Sequence, residues 1–331
     1  MIKILELFGG IGACSSAFTR LGIEYEIIDY VEIDKYAVKS FNAIHNTNFE
    51  PQDIRKWDKD IKVDLIMHGS PCQDFSLAGK QAGGDEGSGT RSSLMYETIR
   101  IVEKLKPKYV IWENVKNLLS KKHRHNFDAY LETMKQLGYT NYYQVLNAKD
   151  YGIPQNRERV FTVSILGNEK KYEFPPKQPL KLKLKNMLED KVDEKYYLSD
   201  KMINYIKENY NLKSKQKQLR SLIEKTNFEE GKVLNMDLYN QNTNENTSQC
   251  LTTPNHNSQR LFDGLRIRKL TPKECWRLMG FDDEDFEKAS RVNSNTQLYK
   301  QAGNSIVVNV LISILKELIK WNLKIWLIKL F

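Results

Sequence analysis

Short apolar segments alternate with amphipathic segments along the first half of the chain. Apolar runs predict buried strands at 3–8, 25–32, 64–68 and 109–113, with further strands at 142–147 and 160–166. Helical periodicity predicts helices at 15–21, 34–46, 94–105 and 126–137, the second of them capped by Asp34. Strands that alternate with helices favour an α/β fold with a doubly wound, mostly parallel sheet.

This periodicity disappears near Phe174-Pro175-Pro176, where lysine-rich and Asn/Gln-rich stretches begin. A compact pattern returns at 266–281, and the chain ends in an apolar segment that starts near residue 305. Lysines at four-residue spacing interrupt that segment, which predicts an amphipathic helix packed on the sheet rather than a membrane span. We therefore expect three parts: 1–175, 176–289, and 290–331, the last returning to the first.

Composition and charge narrow the class of protein without deciding it. The chain has 331 residues, 40% hydrophobic and 28% charged, as in a soluble globular protein. Its net charge of +9 favours a polyanionic partner, although many basic proteins only carry a solvated cationic face. The four cysteines are too scattered for a disulfide framework or a zinc site, and no signal-peptide pattern precedes the first strand. We expect a cytoplasmic protein without a metal.

The third predicted strand runs into Gly69-Ser70-Pro71-Cys72. This places a thiol at the carboxyl edge of the sheet, where open α/β folds have their chemistry. A thiolate at such an edge can act as a nucleophile, whereas a buried cysteine is more often inert packing.

A glycine-rich turn, Phe8-Gly9-Gly10-Ile11-Gly12, joins the first strand to the first helix. Glycines let the backbone approach a ligand, and the helix N-terminus supplies amides. The carboxylate of Glu32, at the end of the second strand, can accept hydrogen bonds from two ribose hydroxyls. Asp53 is placed to recognise an adenine amino group. Dehydrogenases and methyltransferases share such turns, and either acid alone would more often be a cap or a surface charge.

Another acid and two arginines are candidates for the reaction itself. Glu113 ends the strand at 109–113, where burial can raise its pKa and make it a general acid. Arg157 and Arg159 alternate, so they share one face of an extended chain and can hold a phosphate and a polarised carbonyl oxygen.

In this order, the segments resemble the DNA (cytosine-5)-methyltransferase family of bacteria and phages. The matching segments are FGGIG (8–12), GSPCQDFS (69–76), ENV (113–115), NAKDYGIPQNRER (147–159), RKLTPKECWRLMGF (268–281) and QAGNSI (301–306). The match leaves out about 176–265. It implies a Rossmann-like fold of the class I S-adenosylmethionine-dependent methyltransferases, in which 1–175 is the catalytic and cofactor domain and 176–289 the target-recognition domain with its hinge.

The resemblance also implies a reaction. A methyl group would pass from S-adenosylmethionine to C5 of a cytosine flipped out of a specific double-stranded DNA sequence, through a covalent bond between Cys72 and C6. Glu113 would contact N3 and the exocyclic amine, Arg159 would contact O2, and Arg157 would support the site and a nearby phosphate. The residues implied to bind the cofactor are Phe8, Gly9, Gly10, Gly12, Glu32, Asp53, Ile54, Pro71, Leu94, Asn304 and Ser305.

Contacts to DNA are expected from two regions. The glycine-rich stretch after Cys72 carries Lys80 and Arg91, which would reach phosphates when a lid closes. In the recognition region, lysines suit phosphates, and amide and guanidinium groups suit base edges. These candidates are Lys213, Lys215, Lys217, Asn255, Asn257, Gln259 and Arg260. We expect a monomer on double-stranded DNA, with a partner restriction endonuclease as one setting.

Three other functions stay open from the sequence. A transfer-RNA cytosine methyltransferase would share these motifs, but its Cys-Phe-Thr signature is absent and Cys250-Leu251-Thr252 is the nearest approach. That tripeptide also departs from the Thr-Leu of many family members, as Ile33 departs from an aromatic that stacks on adenine. A catalytically silent DNA-binding relative would not need all four catalytic candidates. Amino-methylating enzymes place an aromatic after a Pro-Pro pair, where this chain has Pro71-Cys72.

Overall fold

The computed structural model describes residues 1–71, 94–167, 171–253 and 259–328. Its strands are β1 (Ile2–Leu7), β2 (Tyr25–Val31), β3 (Leu65–His68), β4 (Tyr109–Val115), β5 (Tyr139–Asn147), β6 (Gln155–Asn156), β7 (Glu158–Leu166), β8 (Val233–Asp237), β9 (Asn242–Asn244), β10 (Ser248–Gln249), β11 (Gln259–Asp263) and β12 (Ile267–Arg268). Its α-helices are α1 (Ala13–Leu21), α2 (Lys35–His45), α3 (Met95–Leu105), α4 (Arg124–Gln136), α5 (Asp200–Glu208), α6 (Ser214–Lys225), α7 (Pro272–Leu278), α8 (Asp283–Ser290), α9 (Asn295–Asn304) and α10 (Val308–Ile328).

Six strands form the main sheet in the order β2-β1-β3-β4-β7-β5. The pairs among β2, β1, β3 and β4 are parallel, whereas β7 pairs antiparallel with both β4 and β5. This confirms the predicted α/β fold and its mostly parallel sheet. Every predicted strand of the first half is present, with ends that differ by a few residues.

Local sequence signals explain where the first helices begin and end. Asp34 caps α2 as predicted, because its carboxylate accepts a hydrogen bond of 2.9 Å from the amide of Tyr36. Asn46, in the left-handed conformation, ends that helix. The helix α1 starts after Gly12 (φ +80°), where an added Cβ would lie 2.2 Å from Nε2 of His45.

Helices cover both faces of the sheet. On one face α1 and α10 pack together over a core that includes Ile4, Ile111 and Leu311. On the other face α3 and α4 cover a core that includes Ile66 and Trp112. Strands that are buried on both faces are mostly apolar, which explains why short apolar runs in the sequence predict these strands.

The C-terminal region contains a stretch, Asn295–Ile319, that is long and apolar enough to cross a membrane. Half of its most apolar window is buried inside the protein, and Leu311, Ile314 and Leu315 belong to the main core. This burial is typical of the core helix of a globular protein.

A smaller antiparallel sheet, β12-β11-β8-β9, lies in the second half of the chain. Its own core joins strand residues such as Met236 and Phe262 to α5 and α6. The three lysines of 213–217 lie exposed at the start of α6. By contrast Trp276 and Leu298, of α7 and α9, pack in the main core.

Candidate active site

A pocket opens at the carboxyl ends of β1, β3 and β4. Among the residues that line it are six predicted ones: Phe8, Gly9, Gly10, Glu113, Asn304 and Ser305. Residues 300 positions apart thus meet at one sheet edge, because α9 delivers Asn304 to the end of the strands. Glu6, Gly69 and Ile306 also line the pocket and were not predicted.

The glycine-rich turn is shaped for close approach. Phe8 has φ +52°, which is unusual for a residue with a side chain, and Gly10 has φ +57°. Among the described residues, and apart from the two chain neighbours of Gly10, no heavy atom lies within 4 Å of the position that its Cβ would take, so a ligand can approach this backbone.

The Glu32 carboxylate lies next to this turn. It accepts hydrogen bonds from the amides of Gly10 (3.2 Å) and Asp34 (2.8 Å), and burial raises its pKa despite them. The amide of Gln52 donates to the Glu32 carbonyl (2.8 Å), which brings the segment that holds Asp53 and Ile54 alongside.

Asp53 and Ile54 have different surroundings. Asp53 is paired with the exposed Arg55, whose hydrogen bonds lower the pKa of the Asp53 carboxyl. Ile54 is buried in the core that Phe8 and Leu94 also contact. Of these residues, Phe8 lines the pocket, and Ile54 and Leu94 belong to or pack against the same core as Phe8.

Glu113 and Arg159 form an ion pair in the pocket. Nε of Arg159 lies 3.0 Å from Oε1 of Glu113, and both side chains are mostly buried. Burial raises the pKa of Glu113, although the positive charges of Arg159 and Arg157 partly offset this rise. The pair therefore places a carboxyl of raised pKa next to a cation.

Arg157 is buried, and its guanidinium forms hydrogen bonds with backbone carbonyls instead of facing solvent. Its guanidinium donates to the carbonyls of Leu251 (2.8 Å), Ser305 (2.8 Å) and Gly303 (3.1 Å). It also lies 3.4 Å from the sulfur of Cys250. These contacts differ from the phosphate and carbonyl-oxygen contacts expected from sequence, and they make Arg157 a clamp that joins Leu251 to the segment 303–305.

Cys250 lies between the two arginines. Its sulfur is 3.7 Å from Nη2 of Arg159. Burial by itself would raise the pKa of this thiol, but the nearby charges of Arg157 and Arg159 outweigh that effect and lower it. The tripeptide that departs from the family pattern therefore touches the candidate catalytic residues directly.

Gln259 is placed differently from its predicted role. It is buried, its Oε1 accepts from Nδ2 of Asn235 and Oγ of Ser248 (2.9 Å each), and its Nε2 donates to the carbonyls of Gln249 and Cys250 (3.0 Å each). An amide used in this way has little capacity left for a base edge. The neighbouring Arg260 is half-buried, and burial lowers the pKa of its guanidinium.

Several predicted residues lie outside the described residues: Cys72, Lys80, Arg91, Asn255 and Asn257. Pro71, directly before Cys72 in the chain, is described and half-buried. Within the described ranges, no group of three or more His, Cys, Asp or Glu side chains is arranged to hold a metal ion.

Glu6 is the most unusual of the pocket residues that sequence reasoning missed. Its carboxylate is 2% exposed and accepts hydrogen bonds from both the amide and the hydroxyl of Ser15. Burial raises its pKa to about 7, more than these hydrogen bonds lower it. An acid between two leucines in the buried half of the first strand was the available signal.

The fold and this site define a class I methyltransferase: a sheet of this order, with a glycine-rich turn after β1 and an acid after β2, at a shared carboxyl edge. Residues 2–320 match the family model described as C-5 cytosine-specific DNA methylase. The chain therefore belongs to the C-5 cytosine-specific DNA methylases, and it is a DNA cytosine-5 methyltransferase.

Similar proteins agree with this assignment. The type II methyltransferase M2.ScrFI of Lactococcus lactis subsp. cremoris is 35% identical, over 97% of this chain and 99% of its own length. The orphan methyltransferase M.SPBetaI of Bacillus phage SPbeta is 32% identical, over 96% and 97%.

Solved structures show the same fold. A Dnmt2 methyltransferase of S. pombe superposes with a TM-score of 0.68 at 18% identity, over 98% of this chain and 99% of that one. A DNMT2 mutant of Spodoptera frugiperda gives 0.69 at 22% identity, over 96% and 100%.

Proposed function

We propose that this enzyme methylates C5 of a cytosine that is flipped out of double-stranded DNA, through a covalent bond between Cys72 and C6, with S-adenosylmethionine as methyl donor. The observation that carries the proposal is the Glu113–Arg159 pair at 3.0 Å, in a pocket shared with the glycine-rich turn. A cation and a carboxyl of raised pKa side by side suit the O2 and N3 of a cytosine.

The residues present fit the proposed cofactor. Glu32 is held by backbone amides with its carboxylate at the pocket edge, where it can accept from ribose hydroxyls. The open face of Gly10 admits a close ligand, and Asn304 and Ser305 line the same pocket. S-adenosylmethionine supplies an electrophilic methyl group when bound.

The reaction follows from these groups. The Cys72 thiolate forms a bond to C6 while Glu113 donates a proton to N3, so negative charge does not build up on the ring. The guanidinium of Arg159 stabilises the negative charge that develops on O2 of the cytosine. C5, now nucleophilic, would take the methyl group, and N3 would return its proton to Glu113. Loss of the C5 proton to a base and cleavage of the S–C6 bond give the product and restore the thiolate.

The role of Glu113 predicts the behaviour of Glu113→Gln. Methyl transfer should slow by ~10²–10⁴-fold, because an amide is a far weaker proton donor to N3. Cofactor binding should change little, since Glu113 is assigned to the cytosine. Single-turnover transfer and calorimetry with S-adenosylmethionine measure the two effects. Full activity of this variant across neutral pH would show that another group protonates N3.

The substrate class is tested by a transfer assay that offers the purified chain double-stranded DNA and transfer RNA in parallel. We expect methylated DNA, and bisulfite sequencing of DNA from cells that express the chain should reveal the target sequence. Transfer to RNA alone would identify a transfer-RNA enzyme of the same fold. Binding without transfer would identify a silent relative.

Two further features belong to this proposal. The named relatives include type II and orphan enzymes, so a partner restriction endonuclease is one setting of the activity. We place sequence recognition in the region around 176–265, where the exposed lysines at the start of α6 suit phosphates.

A further inference from the structure

A buried hydrogen bond connects two strands directly beneath the candidate active site. The indole N–H of Trp112 donates to Oγ of Ser70 over 2.9 Å. Trp112 is 1% exposed and Ser70 is 3% exposed, so water does not compete for either group. Removal of one partner is costly at such a buried site, because the polar group that remains has neither a protein partner nor water to hydrogen-bond with.

Ser70 and Trp112 each lie close in sequence to a candidate catalytic residue. Ser70 lies two residues after β3 ends and two residues before Cys72. Trp112 directly precedes Glu113 in β4. Successive strand residues point to opposite faces, so Glu113 reaches the pocket while Trp112 enters the core beneath α3 and α4. One strand thus carries both Glu113 and the indole that contacts Ser70.

The indole is itself held in place. His68, its register partner on β3, stacks on it with ring centroids 5.6 Å apart and planes at 6°. The ring of Tyr130 lies 4.2 Å away, and its hydroxyl is 3.2 Å from Nε2 of His68. Packing on several sides leaves the indole N–H a single direction, toward Ser70.

We infer that Trp112 is a positioning residue, which fixes the start of the Ser-Pro-Cys segment relative to Glu113 through Ser70; the inference rests on the proposed function. Only Pro71 separates Ser70 from Cys72 in the chain. A displacement of Ser70 should therefore displace the backbone that leads into the nucleophile. Misplacement of a reacting group by about 1 Å can cost ~10²-fold in rate.

The test compares Trp112→Phe, Ser70→Ala and their combination. The matched control is Tyr139→Phe, which removes a hydrogen bond of 2.7 Å to the Pro107 carbonyl in the same core, at the other end of β4. Three quantities are measured: the single-turnover rate of adduct formation with 5-fluorocytosine DNA, the dissociation constants for DNA and S-adenosylmethionine, and the urea midpoint of unfolding.

Each single variant should form the adduct ~10–100-fold more slowly, and the double variant no more slowly than the slower single one. Both dissociation constants should stay within about twofold, and Tyr139→Phe should lose stability without losing rate. Wild-type adduct rates in Trp112→Phe and Ser70→Ala, or multiplicative effects in the double variant, overturn the inference. A wild-type chain that forms no adduct overturns the proposed function, and the inference with it.

Discussion

Arg157→Lys is the substitution whose effect the structure defines best. The guanidinium joins three backbone carbonyls from two distant segments, those of Leu251, Gly303 and Ser305. A lysine ammonium keeps the charge, but it is a compact group on a flexible stem and lacks the planar fork that spans such acceptors. We expect it to reach one of the three.

The magnitude follows from the bonds that are lost. A hydrogen bond from a charged group contributes about 1.5–3 kcal/mol, so the loss of two should lower the free energy of unfolding by about 3–6 kcal/mol. With a denaturant dependence of at most ~3 kcal/mol per molar urea, the midpoint should fall by about 1 M or more. Affinity for S-adenosylmethionine should fall as well, because Ser305 lines the pocket.

Urea unfolding followed by circular dichroism measures the first effect, and calorimetry measures the second. Arg159→Lys is the matched control, because Arg159 makes its ion pair with Glu113 at the pocket and a hydrogen bond to its neighbour Glu158. It should lose activity with a much smaller change in midpoint. Equal midpoints for Arg157→Lys and wild type would refute the clamp.

Two further predictions concern buried polar groups. Burial raises the pKa of Glu6 to about 7, from 4.5 for an exposed glutamate, so the folded form binds more protons than the unfolded form between these values. The free energy of unfolding should therefore fall by up to about 3 kcal/mol as pH rises from 4.5 to 7. Glu6→Gln should remove this dependence in urea titrations, and an unchanged slope would contradict it. Gln259→Ala should destabilise the protein by about 2–4 kcal/mol while bisulfite sequencing finds the same target sites; altered sites would restore its role as a base reader.

The parallel part of the fold was predictable because its strands are buried on both faces. Runs such as 64–68 and 109–113 have no polar alternation, and helix caps such as Asp34 mark the boundaries between them. Glycine turns and strand-end acids then placed Phe8, Gly10 and Glu113 at one edge, where the structure brings them together.

Long-range hydrogen bonds were not predictable, because residue type does not reveal the partner. Arg157 and Gln259 have side chains that suit phosphates and bases, yet both satisfy backbone groups inside the protein. The lysines of 213–217 lie on a helix, since Leu219 and Leu222 of α6 pack in the smaller core. That helix was not predicted, because most of its residues are polar and only Leu219 and Leu222 are buried.

Covalent catalysis is the central claim, and intact mass spectrometry tests it most directly. The chain is incubated with S-adenosylmethionine and target DNA that carries 5-fluorocytosine, whose fluorine blocks loss of the group at C5. We expect a denaturation-resistant species with the summed mass of protein, DNA and one methyl group, and none with Cys72→Ala. An adduct of the same mass in Cys72→Ala, or no adduct in a wild-type chain that methylates ordinary DNA, would contradict the account.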